Sequence, residues 1–453
     1  LEAEIDHWHH AEKWIPTLRD RREVTSMYEE KLLDKILDRD NLNLAFKQVK
    51  RNKGAAGVDG VTVDELAGYM ALHKDEIISQ IRQRKYQPHP VLRVEIPKPN
   101  GGVRLLGIPT VKDRVIQQAI AQVLTPMFDK KFSEYSYGFR PKRYAEMAIL
   151  QALEFLNEGH DWIVDIDLER FFDTVNHDRL MNLVSRTVHD GDVISLIRKF
   201  LVSGVQIDED YKETVIGTPQ GGNLSPLLSN IMLNELDLEL EKRGLRFVRY
   251  ADDCIIMVKS EMSAKRVMRS VTKFIEENLG LIVNATKTKV TRPSDPNMKF
   301  LGFGFFKDYQ AGLYKAKPHQ KSVENFKFKL KQLTRKNWSV DTKYQVERIN
   351  QVIRGWVNYF KIGYMKKLLG NIDCHTRVRL RTCIWKKWKT AKNRRKNLIK
   401  LGMDKYTAYK YSHTSKGAVR TAYSWILTTT ITNKRLAKFG LISCVEHYKK
   451  VHA

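Results

Sequence analysis

Two apolar stretches of this chain carry carboxylates where a buried strand would tolerate none. One, "RYADDCIIMV" (residues 249–258), sets Asp252 and Asp253 between Tyr250–Ala251 and the run Cys254–Val258. The other, "WIVDIDLERFFD" (residues 162–173), puts Asp165 and Asp167 on alternate positions, hence on one face of a strand, with Asp173 in the turn beyond. A carboxylate buried without a partner is costly, and two side by side also repel each other. An acidic strand end can protect a sheet edge or cap a helix. Two such strands in one chain are better explained by a divalent metal that cancels the charge. Mg2+ takes hard oxygen ligands and is typically held by one or two carboxylates plus substrate phosphates. Two such ions about 3.5–4 Å apart are the arrangement used for in-line phosphoryl transfer.

Charge gives the second constraint. The 453 residues carry a formal net charge of +27. Residues 1–310 hold 45 Lys and Arg against 46 Asp and Glu, whereas residues 311–453 hold 34 against 6, so the whole excess lies in the C-terminal third. A short charge run is usually a solvated face. A stretch this long with almost no acidic partners repels itself unless a polyanion joins it, and nucleic acid is the polyanion that fits. Hydrophobic residues at 42%, with few Pro and Gly, specify folded domains rather than disordered chain. No apolar run reaches the roughly 18–20 residues of a membrane span, and residues 1–26 lack the apolar core of a secretory signal. Cys254, Cys374, Cys383 and Cys444 show no CxxC spacing, which argues against a zinc site or disulfide framework and for a reducing, cytoplasmic setting.

From Met27 onward, Leu33, Ile36, Leu37, Leu44 and Phe46 fall at helical spacing, with Asn41 a candidate cap for a second helix and Gly54 its stop. "VLRVEIPKPNGGVRLLGIP" reads as a hairpin about Asn100-Gly101-Gly102, and "DRVIQQAIAQVLTPMFDKKF" as a long amphipathic helix. The two acidic stretches read as continuous strands. From about residue 318 the chain is mostly helical, basic and rich in aromatics.

Taken in order, these motifs resemble those of reverse transcriptases. "RYADDCIIM" resembles the Tyr-x-Asp-Asp box, "VDIDLERFFDTVNHD" the first carboxylate motif, and "GTPQGGNLSPLLSNIMLNELD" the motif lining the templating base pair. Over about residues 78–306 their order and spacing resemble the reverse transcriptases encoded within group II introns, also called maturases. The resemblance implies an α+β right-hand polymerase: fingers, an antiparallel-sheet palm, an α-helical thumb/maturase region and a basic C-terminal segment. It also implies an RNA-directed DNA polymerase that uses two Mg2+ ions, with Mn2+ as a substitute, and deoxynucleoside triphosphates. Its implied partners are group II intron RNA, an RNA template with a DNA primer, and target DNA.

Carried over residue by residue, Asp167, Asp252 and Asp253 match the metal-binding aspartates, Asp253 being the auxiliary one of the last pair. Asp165 rivals Asp167, which is preferred because it precedes Phe172 by the five residues expected between metal ligand and sugar gate. Phe172 matches the bulky side chain under the incoming sugar, where a 2′-hydroxyl would collide with the ring; its alternative is ordinary core. Lys98 and Arg104 match the fingertip pair that fixes the triphosphate, and Arg114, one turn into the following helix, is placed to reach the same phosphates. Gln220 matches a partner of the minor-groove side of the nascent pair, while Gly221 and Gly222 permit close backbone approach. "LIVNATKTKV" supplies Asn284 and Lys287 near the nucleotide, and "KFLGFGFF" resembles the primer grip, a tight hairpin presenting backbone to the primer end.

The C-terminal third resembles the thumb and maturase region. In "INQVIRGWVNYFKIGYMKKLL", Trp356 and Phe360 are expected in the core and Arg354, Lys361, Lys366 and Lys367 on a nucleic-acid face. "RVRLRTCIWKKWKTAKNRRKNLIKLG" adds Lys386, Lys387, Arg394, Arg395 and Lys396 along an RNA or template–primer backbone. The expected organisation is an unplaced segment 1–26, a fingers extension 27–77, fingers and palm 78–306, thumb/maturase 307–400 and a basic segment 401–453. The histidines of "HWHH" read as incidental rather than as ligands. No paired-cysteine or paired-histidine endonuclease motif follows, so no second-strand cleavage is expected. Two alternatives remain: a splicing cofactor with vestigial polymerase activity, and a retron or CRISPR-associated enzyme serving defence. The intact aspartates argue against the first, and the long basic region with "RGWVNYF" against the second. A cytoplasmic ribonucleoprotein is the expected working form.

Overall fold

A computed structural model describes residues 31–97, 103–207, 210–214, 216–218 and 221–452. Lys98 with its Asn100-Gly101-Gly102 turn, Gln220, and the N-terminal segment 1–26 with its histidines lie outside the described residues. In chain order the strands are β1 (Val91–Pro97), β2 (Val103–Ile108), β3 (Trp162–Ile166), β4 (Val205–Ile207), β5 (Asp210–Lys212), β6 (Arg246–Tyr250), β7 (Asp253–Val258), β8 (Lys289–Thr291), β9 (Phe303–Asp308) and β10 (Leu313–Pro318). The chain divides into two units. The first takes the described residues up to Phe132 with Arg170–Glu235 and Leu279–Ile282; the second takes Ser133–Glu169, Leu236–Asn278 and Val283 onward.

In the first unit the sheet order is β2-β1-β4-β5. β1 and β2 pair antiparallel from Leu92↔Ile108 to Pro97↔Val103, as their alternating apolar residues lead one to expect. β4 adds parallel to β1. The long helix runs Val111–Asp129, capped by Thr110, whose hydroxyl accepts from the Asp113 amide, and it buries Val115, Ile116, Ala119, Ile120 and Leu124. The helices Leu32–Leu37 and Arg39–Asn52 part at Asp38, which caps the second by accepting from the Asp40 and Asn41 amides. Asp38 therefore does the work expected of Asn41. The Asn41 side-chain Nδ2 donates instead to the carbonyls of Ile36 and Ala119. Leu44 is 58% exposed, so the apolar face is narrower than its spacing suggests.

In the second unit the sheet order is β6-β7-β3-β8, antiparallel throughout. Here the sequence reading needs correcting: the stretch around Asp252 is a hairpin, not one strand. Tyr250 pairs with Asp253, and Ala251-Asp252 form the turn between β6 and β7, with Ala251 at φ +57°. The turn resolves the conflict that the two adjacent carboxylates posed. Asp252 leaves the ladder altogether, and Asp253 opens the strand at its accessible end. Beyond β10 the chain is helical from Gln320. One core runs through this whole unit. Ile163, Ile255 and Met257 of the sheet join it to Phe303 of β9, to Phe326 and Val346 of the following helices, and on to Trp385, Leu398 and Tyr448. Phe360 is buried and Trp356 half-buried, its ring stacked on Phe326 at 4.3 Å, as the sequence leads one to expect. No helix among the described residues is long and apolar enough to cross a membrane.

Candidate active site

Four carboxylates gather at one end of the second unit's sheet. Asp165 lies on β3 opposite Ile255 of β7 and Lys289 of β8, and Asp167 follows directly after the strand. Asp252 and Asp253 come from the β6–β7 turn. Their charges act on one another. Loss of hydration and then Asp252, Asp165 and Asp167 push Asp253 up to about 6, with Lys299 opposing. Loss of hydration also raises Asp165 to about 6; Lys289 opposes the shift and Asp167 adds to it. Asp253 keeps accessible surface, so its desolvation is partial and the neighbouring charges matter.

Asp167 is held from several sides by one turn. Its amide donates to Thr288 Oγ1 at 3.2 Å, its carbonyl accepts from the Asn284 amide at 2.8 Å, and its carboxylate accepts from Lys287 Nζ at 3.1 Å. The Asn284 side chain points back into that turn. Its Oδ1 accepts from the Thr286 amide and hydroxyl and from the Lys287 amide. Asn284 thus shapes the loop that presents Lys287, a local arrangement of the kind asparagine favours.

The Tyr-x-Asp-Asp turn has a foundation that the sequence reading passed over. Arg249 on β6 is fully buried and forms a two-pronged ion pair with Asp237 of the helix Ser225–Lys242, at 2.7 and 2.6 Å. Its Nη1 also donates to the Ala251 carbonyl at 2.9 Å, inside the turn. The segment Tyr135–Tyr137 binds the backbone of Arg249 on both sides, each bond 2.9 Å. Gly138 then lies so close that a Cβ there would come within 2.2 Å of the Ala251 amide. The available signals were an arginine inside an apolar strand and an aspartate between Leu236 and Leu238.

The primer-grip motif is a tight hairpin. Phe300 and Phe303 exchange both backbone bonds, at 3.0 and 2.8 Å, across Leu301-Gly302 with φ +49° and +83°. The Tyr359 hydroxyl of "RGWVNYF" donates to the Leu301 carbonyl at 2.9 Å. Burial, then Tyr250 and Asp253, raise the Tyr359 phenol, which ties this motif to the carboxylate end of the sheet.

Other expected site residues belong to the first unit. Phe172 is half-buried on the short helix Phe171–Thr174, its ring edge-on to Phe171, and its carbonyl accepts from the Thr218 amide at 2.6 Å. Gly217, at φ +95°, passes so near that a Cβ would meet the carbonyls of Phe172 and Asp173 at 3.0 Å. Gly221 and Gly222 do permit close approach, and what they approach in the chain is the Gly107 carbonyl and the Gln117 side chain. Arg104 is exposed on β2 opposite Ile96. Arg114 is buried and donates to the carbonyls of Pro109 and Ala55, so its guanidinium braces the loop that follows the helix Arg39–Asn52.

Of the basic residues expected to meet nucleic acid, Arg354, Lys366, Lys367, Lys386, Arg395 and Lys396 are exposed. Four are engaged within the fold, among them the exposed Arg395, which lies over the Tyr409 ring at 5.8 Å. Lys361 pairs with Glu146 at 2.9 Å, Lys387 donates to Thr342 and Gln345, and the half-buried Arg394 lies over the Trp385 ring at 4.8 Å.

Comparison with known proteins bears on this geometry. A family model described as "Reverse transcriptase (RNA-dependent DNA polymerase)" matches residues 96–305, and one described as "Group II intron, maturase-specific domain" matches residues 323–402. Protein YkfC of Escherichia coli is 33% identical over 61% of this chain and 83% of its own length. The group II intron-encoded protein LtrA of Lactococcus lactis subsp. cremoris is 30% identical over 57% of this chain and 54% of its own. An uncharacterized 91 kDa protein in the cob intron of Schizosaccharomyces pombe is 27% identical over 72% of this chain and 50% of its own. The chain thus spans about half the length of these two intron-encoded relatives. The fold and the matched family model place the chain in the reverse transcriptase class. The chain belongs to the group II intron-encoded reverse transcriptase/maturase family.

That membership implies a divalent metal and an intron RNA partner. Among the described residues no group of three or more His, Cys, Asp or Glu side chains is set to hold a metal ion unaided. An Mg2+-type site does not need one, because water and substrate phosphates complete it. The donor set is all hard oxygen, and the neighbouring carboxylates add to burial in raising Asp165 and Asp253, a repulsion that a divalent cation would relieve. The residues fit the metal.

Proposed function

We propose that the chain copies RNA into DNA with two Mg2+ ions held by Asp167, Asp252 and Asp253. We further propose that it binds its own group II intron RNA, assists splicing and retrotransposition at a target DNA, and works as a cytoplasmic ribonucleoprotein. When bound, the ions supply acidification of the primer 3′-hydroxyl and charge neutralisation at the leaving pyrophosphate. The chain's own residues position and select. Lys98 and Arg104 fix the triphosphate, Phe172 excludes a 2′-hydroxyl, Gln220 tracks the nascent pair, and Leu301-Gly302 seat the primer end. Lys287 Nζ donates to Asp167 from the turn that Asn284 shapes. The observation that carries this reading is the cluster of mutually repelling carboxylates at the sheet end. Primer extension tests it: the purified chain should extend a DNA primer on an RNA template with deoxynucleotides and Mg2+. No extension would refute the reading.

A further inference from the structure

A groove runs along the helix Lys366–Lys387, between the end of the helix Gln320–Leu333 and the helix Ala418–Tyr423. Its floor is one face of the middle helix, His375, Val378, Arg379 and Thr382, under a cavity of about 450 Å3. Arg335 and Lys336 form one wall, and Val419 with Tyr423 the other. A second cavity, of about 280 Å3, shares His375 and extends to Lys327. Among the described residues no carboxylate lines either one.

The cations here are placed, not scattered. Arg379 Nε donates to Thr334 Oγ1 at 2.7 Å, and Nη2 to the carbonyls of Lys331 and Thr334, both at 3.1 Å, which fixes the plane of its guanidinium. Partial burial, then Arg379, Lys327 and Lys331, hold the His375 imidazole below its usual range, as a concentrated positive potential requires. On the opposite wall Tyr423 is 62% exposed and Val419 54%. An aromatic ring left open to water beside one fixed guanidinium and two exposed cations, Arg335 and Lys336, suits a nucleobase, which stacks on the ring while its phosphates meet the charges.

We infer that this groove binds single-stranded RNA, with one unpaired base on Tyr423 and the flanking phosphates on Arg335, Lys336 and Arg379. A duplex is the poorer occupant, because its bases are already stacked on one another. Of the stretches that the sequence assigns to nucleic acid, residues 377–402 supply Val378, Arg379 and Thr382 to the floor, whereas Arg335, Lys336, Val419 and Tyr423 lie outside them. The inference rests on the RNA-binding reading above and adds to it a place and a strand type.

The test uses the full chain and two labelled probes: an unstructured RNA of about 12 nucleotides, within the range such grooves accommodate, and a blunt RNA duplex of equal length. Tyr423→Ala should weaken the single strand about 5- to 150-fold, the loss of one stacked base, and change the duplex less than about twofold. Tyr423→Phe should bind as wild type. Arg335→Gln with Lys336→Gln should reduce the single-strand slope of log K against log salt by about 1.4. Unchanged single-strand affinity in Tyr423→Ala, or an equal loss on both probes, overturns the groove. Extension from a saturating pre-annealed template–primer then separates the two readings. If it persists, the groove alone has failed; if the wild type neither binds RNA nor extends a primer, the function itself is wrong.

Discussion

Arg249 and Asp237 lie side by side inside the second unit, with each side chain no more than 1% exposed, and the same guanidinium grips the Ala251 carbonyl. The turn carrying Asp252 therefore stands on a buried ion pair. Removing one partner leaves the other charge uncompensated, at a cost of about 3–5 kcal/mol. Arg249→Leu should lower stability to urea by about that much, and Arg249→Leu with Asp237→Leu should recover a large part of it. Equal losses in the single and double variants would mean that the pair is not coupled.

Asp252→Asn keeps the shape of the turn and removes a charge. Primer extension should fall at least about 10²- to 10³-fold, the scale of one lost electrostatic contact to the transition state. RNA affinity should change less than about twofold, since template binding depends on phosphate contacts elsewhere. Single-turnover extension and filter binding on the same preparation read both quantities. Near wild-type extension would remove Asp252 from the catalytic set.

Phe172→Ala removes the ring and leaves the backbone bond from Thr218 in place. The variant should therefore fold and should accept ribonucleotides more readily. The measurement is the ratio of ribo- to deoxynucleotide incorporation on one template. An unchanged ratio returns Phe172 to ordinary packing.

On the helix Ala391–Lys400, Lys392, Lys396 and Lys400 are exposed at four-residue spacing and share a face. Replacing all three with Gln should reduce the salt slope of RNA binding by about 2–3 units. Arg394→Gln should act differently, because that side chain covers Trp385. It should cost about 0.5–2 kcal/mol of stability as the cation leaves the ring. A slope equal to wild type in the triple variant would make this face a merely solvated one.

Cys374 is exposed, while Cys254, Cys383 and Cys444 are buried free thiols. Burial, the largest of several causes, pushes all three buried thiols up, further from the reactive thiolate. Iodoacetamide on the folded protein at mildly alkaline pH should modify Cys374 first, and peptide mass spectrometry reads the order. Early labelling of Cys254 would show that the sheet behind the turn opens.

The sequence was legible where chemistry repeats locally. Alternating apolar residues gave β1 and β2, and an ordered set of motifs pointed to carboxylates that the fold gathers at one sheet end. It was illegible where a partner lies far along the chain. Nothing near Arg114 announces the Ala55 carbonyl, and nothing in three residues of β4 announces parallel pairing with β1. The β6–β7 turn was missed because Ala251 is an unusual residue for positive φ, and apolar neighbours on both sides imitate one strand. Asn284 was placed near a nucleotide by motif, whereas its short amide satisfies its own turn first.

The single core of the second unit, from Ile163 and Ile255 through Phe326 to Trp385 and Tyr448, has a consequence for descent. A lineage that no longer needs to copy RNA could lose the aspartates by single substitutions. It could not discard the strands that carry them, because the helices used for the intron pack on the same interior. Inactive descendants should therefore keep the sheet as a fossil, with apolar positions such as Met257 retained and the acidic turn free to drift.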